Sequence, residues 1–299
     1  MNIGSELTRG PIVAGTDFSQ ASLSALNYAA ILAISESRPL HLVHAMSLLP
    51  EDSPDLLQVQ EDELGRQVAK FGTMLSGAAL GVDGAVVMGS PARRIIEIAD
   101  SLNAAYIVVG TQGLSGFDRL LLGSVAEAVI RKSDRPVIVV GPEAARRAAH
   151  TIPWKRLILA CDPAHGVTEA ARLAGNIAVT HNARLTIFNV LEDGIEQPSS
   201  AQFEAMEKMM SREAWLTVLP HCLLRAGEPT KEITRMAEDV QADLLIMSAR
   251  RGGELPTHLR AGVLAKVLRV ARCPAMILRE AAKPSQGNEI EASPYAAIF

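Results

Sequence analysis

The 299-residue sequence is short of cysteine, of aromatic residues and of net charge, and each shortage removes a class of protein. Its three cysteines, Cys161, Cys222 and Cys273, form no CxxC pair, so they supply neither a disulfide framework nor zinc-ligand spacing. Lysine and arginine total 29 against 33 acidic residues, a net charge of −4, without the basic surplus that a nucleic-acid binder carries. No apolar run approaches the roughly 18 residues a membrane span needs. The opening Met1-Asn2-Ile3-Gly4-Ser5-Glu6 has no basic segment ahead of an apolar one, so no secretory signal is read there. Neither GxxxxGK[ST] nor GxGxxG occurs, which removes the P-loop and the dinucleotide fingerprint. What is present is 48% hydrophobic and 21% charged residues, the composition of a globular chain long enough for two domains. A soluble cytoplasmic protein without nucleic-acid or membrane partners is expected.

An internal repeat organises the chain. Pro11-Ile12-Val13-Ala14-Gly15-Thr16-Asp17 matches Arg156-Leu157-Ile158-Leu159-Ala160-Cys161-Asp162 at an offset of 145. Gly89-Ser90-Pro91 matches Gly227-Glu228-Pro229 at an offset of 138, as do Ile107-Val108-Val109 with Leu245-Ile246-Met247 and Arg135-Pro136-Val137 with Cys273-Pro274-Ala275. The change of offset places a seven-residue length difference between Met46 and Met88, where a loop or helix can vary without disturbing a sheet. A repeat this long is a duplicated domain.

Within the first repeat, β-branched runs near 11–15, 40–45, 83–88, 104–109 and 136–140 read as strands. Between the first two, Leu23, Leu26, Ala30, Ala33 and Ile34 make one apolar helix face. Ser90 before Pro91 reads as a helix N-cap followed by proline at the first helical position. Strands apolar throughout and alternating with helices imply a parallel sheet covered on both faces. The expected fold is therefore α/β: two tandem doubly wound domains, each a roughly five-stranded parallel sheet with helices on both faces. Domains are expected at 1–145 and 151–280, joined by a linker over 141–155 and followed by a mobile tail, 281–299.

The chemistry-bearing pattern follows the run Ala105–Val109. It is Gly110-Thr111-Gln112-Gly113, nine further residues, then Gly123-Ser124-Val125-Ala126 opening a helix. Glycines let backbone N–H groups approach an anion, and a helix N-terminus favours negative charge, so this Gly-x2-Gly-x9-Gly-Ser spacing suits a polyphosphate. A ligand-free reading competes: Ser124 and Glu127 fit an S-x-x-E capping box, and Gly110 and Gly113 fit turns. Asp17 likewise fits either a ligand contact at a strand end or a cap for the helix after Asp17-Phe18-Ser19.

The segments Ile12-Val13-Ala14-Gly15-Thr16-Asp17-Phe18-Ser19, Gly89-Ser90-Pro91, Ile107 to Gly113, Leu120 to Ala126 and Arg135 to Val140 together resemble the universal stress protein family in tandem form. The resemblance covers nearly the whole chain, less its termini and linker. It implies an ATP-binding stress-response or signalling protein, with Gly110, Gly113, Gly123, Ser124 and Val125 holding phosphates and ribose. It also implies Asp17, flanked by Thr16, beside the adenosine, and Ala45 near the adenine. Mg²⁺ is an open companion of the nucleotide. The resemblance further implies that the last strands, Val137–Val140 and Ala275–Leu278, pair the repeats as an internal pseudo-dimer, with a further homodimer and an unidentified protein partner as open expectations.

The second repeat departs from the motif. The 138 offset sets Ser248 against Gly110, Arg251 against Gly113, Ala261 against Gly123 and Gly262 against Ser124, while Asp162 remains opposite Asp17. One nucleotide site is expected, with the second repeat structural or holding another ligand. Arg250 and Arg251 are candidates for a smaller anion, or a solvated surface pair. A dedicated ATPase is not expected, because beyond Gln112, Asp118 and Arg119 no base, Walker-type lysine or acidic metal pair stands out. Slow hydrolysis, and an adaptor with vestigial sites, are the alternatives. His41 and His44 alternate along one strand and so point to opposite faces, and Cys161 reads as a small buried residue.

Overall fold

The computed structural model of the chain describes residues 10–47, 54–111, 122–161, 168–191, 220–250 and 262–280, together with residue 200. Strands β1 (Ile12–Thr16), β2 (Leu40–Met46), β3 (Val82–Met88), β4 (Tyr106–Gly110) and β5 (Val137–Val140) form the first half of one sheet. Strands β6 (Arg156–Ala160), β7 (Arg184–Leu191), β8 (His221–Ala226), β9 (Leu244–Arg250) and β10 (Ala275–Glu280) form the second. The order across the sheet is β3-β2-β1-β4-β5-β10-β9-β6-β7-β8. All neighbours are parallel except β5 and β10, which run antiparallel.

Helices cover both faces. On one lie α1 (Gln20–Glu36), α2 (Pro54–Ser76), α5 (Pro142–Thr151) and α6 (Thr168–His181); on the other lie α3 (Pro91–Ser101), α4 (Ser124–Lys132), α7 (Pro229–Asp239) and α8 (Val263–Val270). Alternation assigns the strand side chains: Ile12 and Ala14 join the first core, Val13 the second. Because both faces are buried, every residue of β1 is inaccessible, and the strand reads as an unbroken apolar run.

The register reproduces the repeat. Ile12 faces Leu40 and Tyr106, and their counterparts at offsets 145, 145 and 138, Leu157, Leu185 and Leu244, face each other in the same way. His41 opposite Asp83 becomes Thr186 opposite His221, so the seven-residue difference falls between β2 and β3, where α2 lies. Gly89 and Gly227 also correspond, at φ +124° and +144°, a backbone region that disfavours side chains at both copies of the Gly-x-Pro turn.

Strands β5 and β10 pair Val137 with Ile277, Ile138 with Met276 and Val139 with Ala275. Residue 276 is the repeat counterpart of 138, so this is a self-complementary, dimer-like contact made within one chain. The segment expected as the linker, 141–155, carries α5, which packs on α1. Its Pro142 start, Glu143 in the first turn and alanine-rich body are helix signals. Trp154 follows, fully buried, its Nε1 donating to the Tyr28 hydroxyl at 2.8 Å. The expected tail, 281–299, lies outside the described residues.

A polar cluster occupies the first core where the two repeats meet. The Glu36 carboxylate, at the end of α1, accepts from Arg38 Nε at 2.6 Å, from the Tyr106 hydroxyl at 3.2 Å and from His181 Nε2, at the end of α6, at 3.2 Å. Arg38 also donates to the Gly10 carbonyl and lies over the Tyr106 ring. Burial pushes the Glu36 carboxyl up, but the hydrogen bonds and charges of His181 and Arg38 outweigh it and hold the group below its ordinary value.

Gly10 anchors this corner. A Cβ there would sit 1.8 Å from the Asn103 carbonyl oxygen, a backbone atom that cannot swing aside. Gly10→Ala is therefore expected to cost about 2–3 kcal/mol, lowering Tm by roughly 5–10 °C in a thermal melt. An unchanged Tm would mean the corner can relax.

Candidate functional site

The first repeat's sheet has a switch point between β1 and β4: the chain leaves β1 towards β2 and β3, then returns to β4 on the other side. Ligands of open α/β sheets bind outside the carboxyl ends of strands at such a point. A cavity of about 270 Å³ opens there. Gly15, Thr16 and Asp17 reach it from the end of β1, Ala45 from β2, Val109 and Gly110 from β4. The starts of α3 (Pro91, Ile95) and α4 (Ser124, Val125, Ala126) close the other side, with Gly123 at the α4 N-cap.

Of the residues singled out from the sequence, Thr16, Asp17, Ala45, Gly110, Gly123, Ser124 and Val125 line this cavity. Gly113 lies outside the described residues, as do Gln112, Asp118 and Arg119. Sequence reasoning passed over Ser22 and Ile95, which also line it. Ile95 carried a usable signal, since it stands one turn beyond the Pro91 helix start and so must face the same end of the sheet.

The capping-box reading of Ser124 is corrected. The N-cap of α4 is Gly123, Ser124 is the first helical residue, and no side chain caps this end. Glu127 N donates to the Gly123 carbonyl, as the first turn of any helix does. Ser124 is exposed, and no side chain caps the N–H groups at the start of α4. Ser90 is the N-cap of α3 with Pro91 next, as expected, although its hydroxyl makes no cap bond.

The β1–α1 turn is densely bonded. Asp17 Oδ1 accepts from Ser19 N at 3.0 Å, and Ser19 is the N-cap of α1, accepting from Ser22 N. Thr16 Oγ1 accepts from Phe18 N at 3.0 Å and lies 3.1 Å from Ser22 Oγ, which also accepts from Asp17 N. Asp17 is thus a turn-former that also borders the cavity. His41 and His44 lie on opposite faces of β2: His41 meets Asp83 at 2.6 Å, and His44 is buried against Thr16. Cys161 is half-buried rather than buried. The fully enclosed thiol is Cys273, which burial pushes up to about 12.

The second repeat's equivalents are differently equipped. Glu228, opposite Ser90, turns its carboxylate onto its own helix, accepting from Thr230 N and Lys231 N at 3.1 and 2.9 Å. Ser248 stands opposite Leu278 as Gly110 stands opposite Val140, so β9 carries a side chain, two residues before its end, where β4 ends in glycine. The N-cap of α8 is Gly262, not residue 261, so this helix opens one position later than the 138 offset and keeps a glycine in the role of Gly123. Asp162, Arg251 and Ala261 lie outside the described residues, and only the backbone of Arg250 is described.

No helix among the described residues is long and apolar enough to cross a membrane. A model of the universal stress protein family matches residues 8–141 and again 153–279. A universal stress protein of Methanocaldococcus jannaschii is 33% identical over 136 residues, covering 43% of this chain and 80% of its own. One of Mycobacterium tuberculosis is 25% identical over 292 residues, covering 90% of this chain and 97% of its own, so it shares the tandem layout. The crystal structure of a universal stress protein from Archaeoglobus fulgidus superposes with a TM-score of 0.73 at 21% identity, over 90% of this chain and 98% of that one.

Proposed function

The chain belongs to the universal stress protein family, and from that premise we propose that its first repeat is an adenine-nucleotide receptor whose output is a change of conformation or partner. The observation carrying this reading is the convergence of seven of the residues singled out from the sequence on one cavity at the sheet's switch point. The cavity combines two chemistries. Ala45, Pro91, Ile95, Val109 and Ala126 offer apolar surface suited to a flat base. Gly123, Ser124 and Val125 offer the start of a helix whose N–H groups no side chain caps, suited to phosphate oxygens. Asp17 supplies a carboxylate acceptor at the rim, suited to ribose hydroxyls. ATP, with or without Mg²⁺, would be held by these groups together with Gly110 and Gly113. The second repeat, with Ser248 in place of the strand-end glycine and a glutamate turned onto its own helix, serves as the structural partner.

Calorimetric titration of nucleotide-stripped protein with ATP, in Mg²⁺ and in EDTA, tests the reading. A single ATP per chain is expected. Gly113→Arg, which imposes the residue of the second repeat, is expected to weaken binding by at least about tenfold, because its stem fills space a phosphate needs beside the backbone. Absence of binding in the parent protein would overturn the proposal.

A further inference from the structure

His44 has no place in the proposed chemistry, yet it is buried directly behind the β1–α1 turn. Its Nδ1 lies 2.9 Å from the Thr16 carbonyl oxygen. A carbonyl can only accept, so Nδ1 carries the hydrogen and the neutral ring is the Nδ1–H tautomer. The ring also stacks on Phe18, with centroids 4.4 Å apart and planes at 29°. Phe18 sits at φ +60°, a left-handed conformation costly for a bulky residue, and the stack restrains it there. Asp17 therefore lies between two residues that one imidazole holds, Thr16 by its carbonyl and Phe18 by its ring.

The second repeat repeats the contact with different atoms. Asn189, the counterpart of His44, is buried and donates from Nδ2 to the carbonyl of Cys161, the counterpart of Thr16, at 2.8 Å. Around that bond the sequence has changed: Phe18 is matched by Pro163 and Ser22 by Val167. What both copies keep is a buried side-chain donor on the second strand aimed at the last carbonyl before the aspartate. The shared element is the donor and not the ring.

We propose that His44 is a positioning residue, whose Nδ1–H clamps the Thr16 carbonyl and so fixes the Asp17 carboxylate at the cavity rim. This deepens the nucleotide reading and rests on it. Because Asn189 makes the same bond, asparagine should replace histidine at position 44 where leucine cannot.

The test compares the parent with full-length His44→Leu and His44→Asn. In nucleotide-free protein, amide exchange over residues 16–19 is expected to quicken in His44→Leu and return towards the parent rate in His44→Asn. ATP affinity is expected to fall about tenfold in His44→Leu and to recover within roughly threefold in His44→Asn. Leucine binding ATP as the parent does, or asparagine failing to rescue a folded protein, would overturn the clamp. Should the parent bind no ATP, the nucleotide reading fails by itself, and the exchange rates still decide whether the donor holds the turn. Should His44→Leu not fold, the imidazole ¹⁵N shifts of the parent decide: an Nε2–H tautomer at His44 would refute the bond.

Discussion

Glu36→Ala is expected to destabilise the protein by about 3–5 kcal/mol, read from urea-unfolding midpoints. The size follows from what the substitution leaves behind. Arg38, Tyr106 and His181 all donate to this carboxylate, and the Arg38–Glu36 pair lies in a closed corner of the core. Removing the acceptor strands a buried guanidinium, which costs more than the pair itself contributes. Glu36→Gln keeps the shape and one acceptor and should cost less. A pH dependence accompanies this. The folded-state carboxyl titrates below its ordinary 4.5, so its contribution is fully present above that pH and is lost as pH falls through the lower folded-state value. Acid unfolding of Glu36→Gln should lack that component. Exposed carboxylates such as Glu97 and Glu143 are also held low by neighbouring arginines, but solvent screening leaves them little weight. Trp154, whose ring lies 4.9 Å from that of His181, is a fluorescence reporter of the same corner. A variant as stable as the parent would mean water reaches the cluster.

Ser124→Asp should move two measurements in opposite directions. As the first residue of α4, an aspartate meets the positive end of the helix and is expected to stabilise the fold by about 0.3–1 kcal/mol. The same charge faces the cavity where phosphates are proposed to sit. A unit charge about 6 Å from another, at an effective dielectric of about 40, repels by roughly 1.4 kcal/mol, and a polyphosphate carries several charges. ATP affinity should therefore fall between about ten- and a hundredfold while Tm holds or rises. Adenosine, lacking phosphate, should lose far less. Equal losses for both ligands would place the phosphates elsewhere. Because the fold is expected to gain, a loss of binding could not be attributed to unfolding.

The strands and the site were legible for the same reason. Each run of apolar β-branched residues ends in a polar or glycine residue, and in a parallel sheet those ends share one edge. Asp17 and Gly110 stand at such ends, and the family resemblance adds Ala45 beside them. Two features were ambiguous locally. The S-x-x-E at Ser124 fits a capping box equally well with the helix starting one residue later, and only the extended φ and ψ of Gly123 place the start. The segment at 142–151 has helix-forming composition, but after Pro142 its only apolar residues are alanines, too small to announce what it packs against. The Glu36 cluster was not legible at all. Its members are brought together by α1, the β4 start and α6, and no local spacing encodes a contact made only when two repeats dock. His44 was noted for its strand face, but its bond to Thr16 depends on strand register.

Duplication has consequences at the join. Glu36 and His181 occupy the same place in their respective repeats, 145 positions apart, and they touch each other. So do Ile138 and Met276. Had two identical copies of the first repeat come together in this way, carboxylate would oppose carboxylate; two copies of the second would set imidazole against imidazole. Fusion lifted the requirement that both sides be alike, and the two positions have diverged into complements. Each half now matches the other half better than its own twin, so like-with-like pairing, first repeat to first or second to second, is disfavoured at this position.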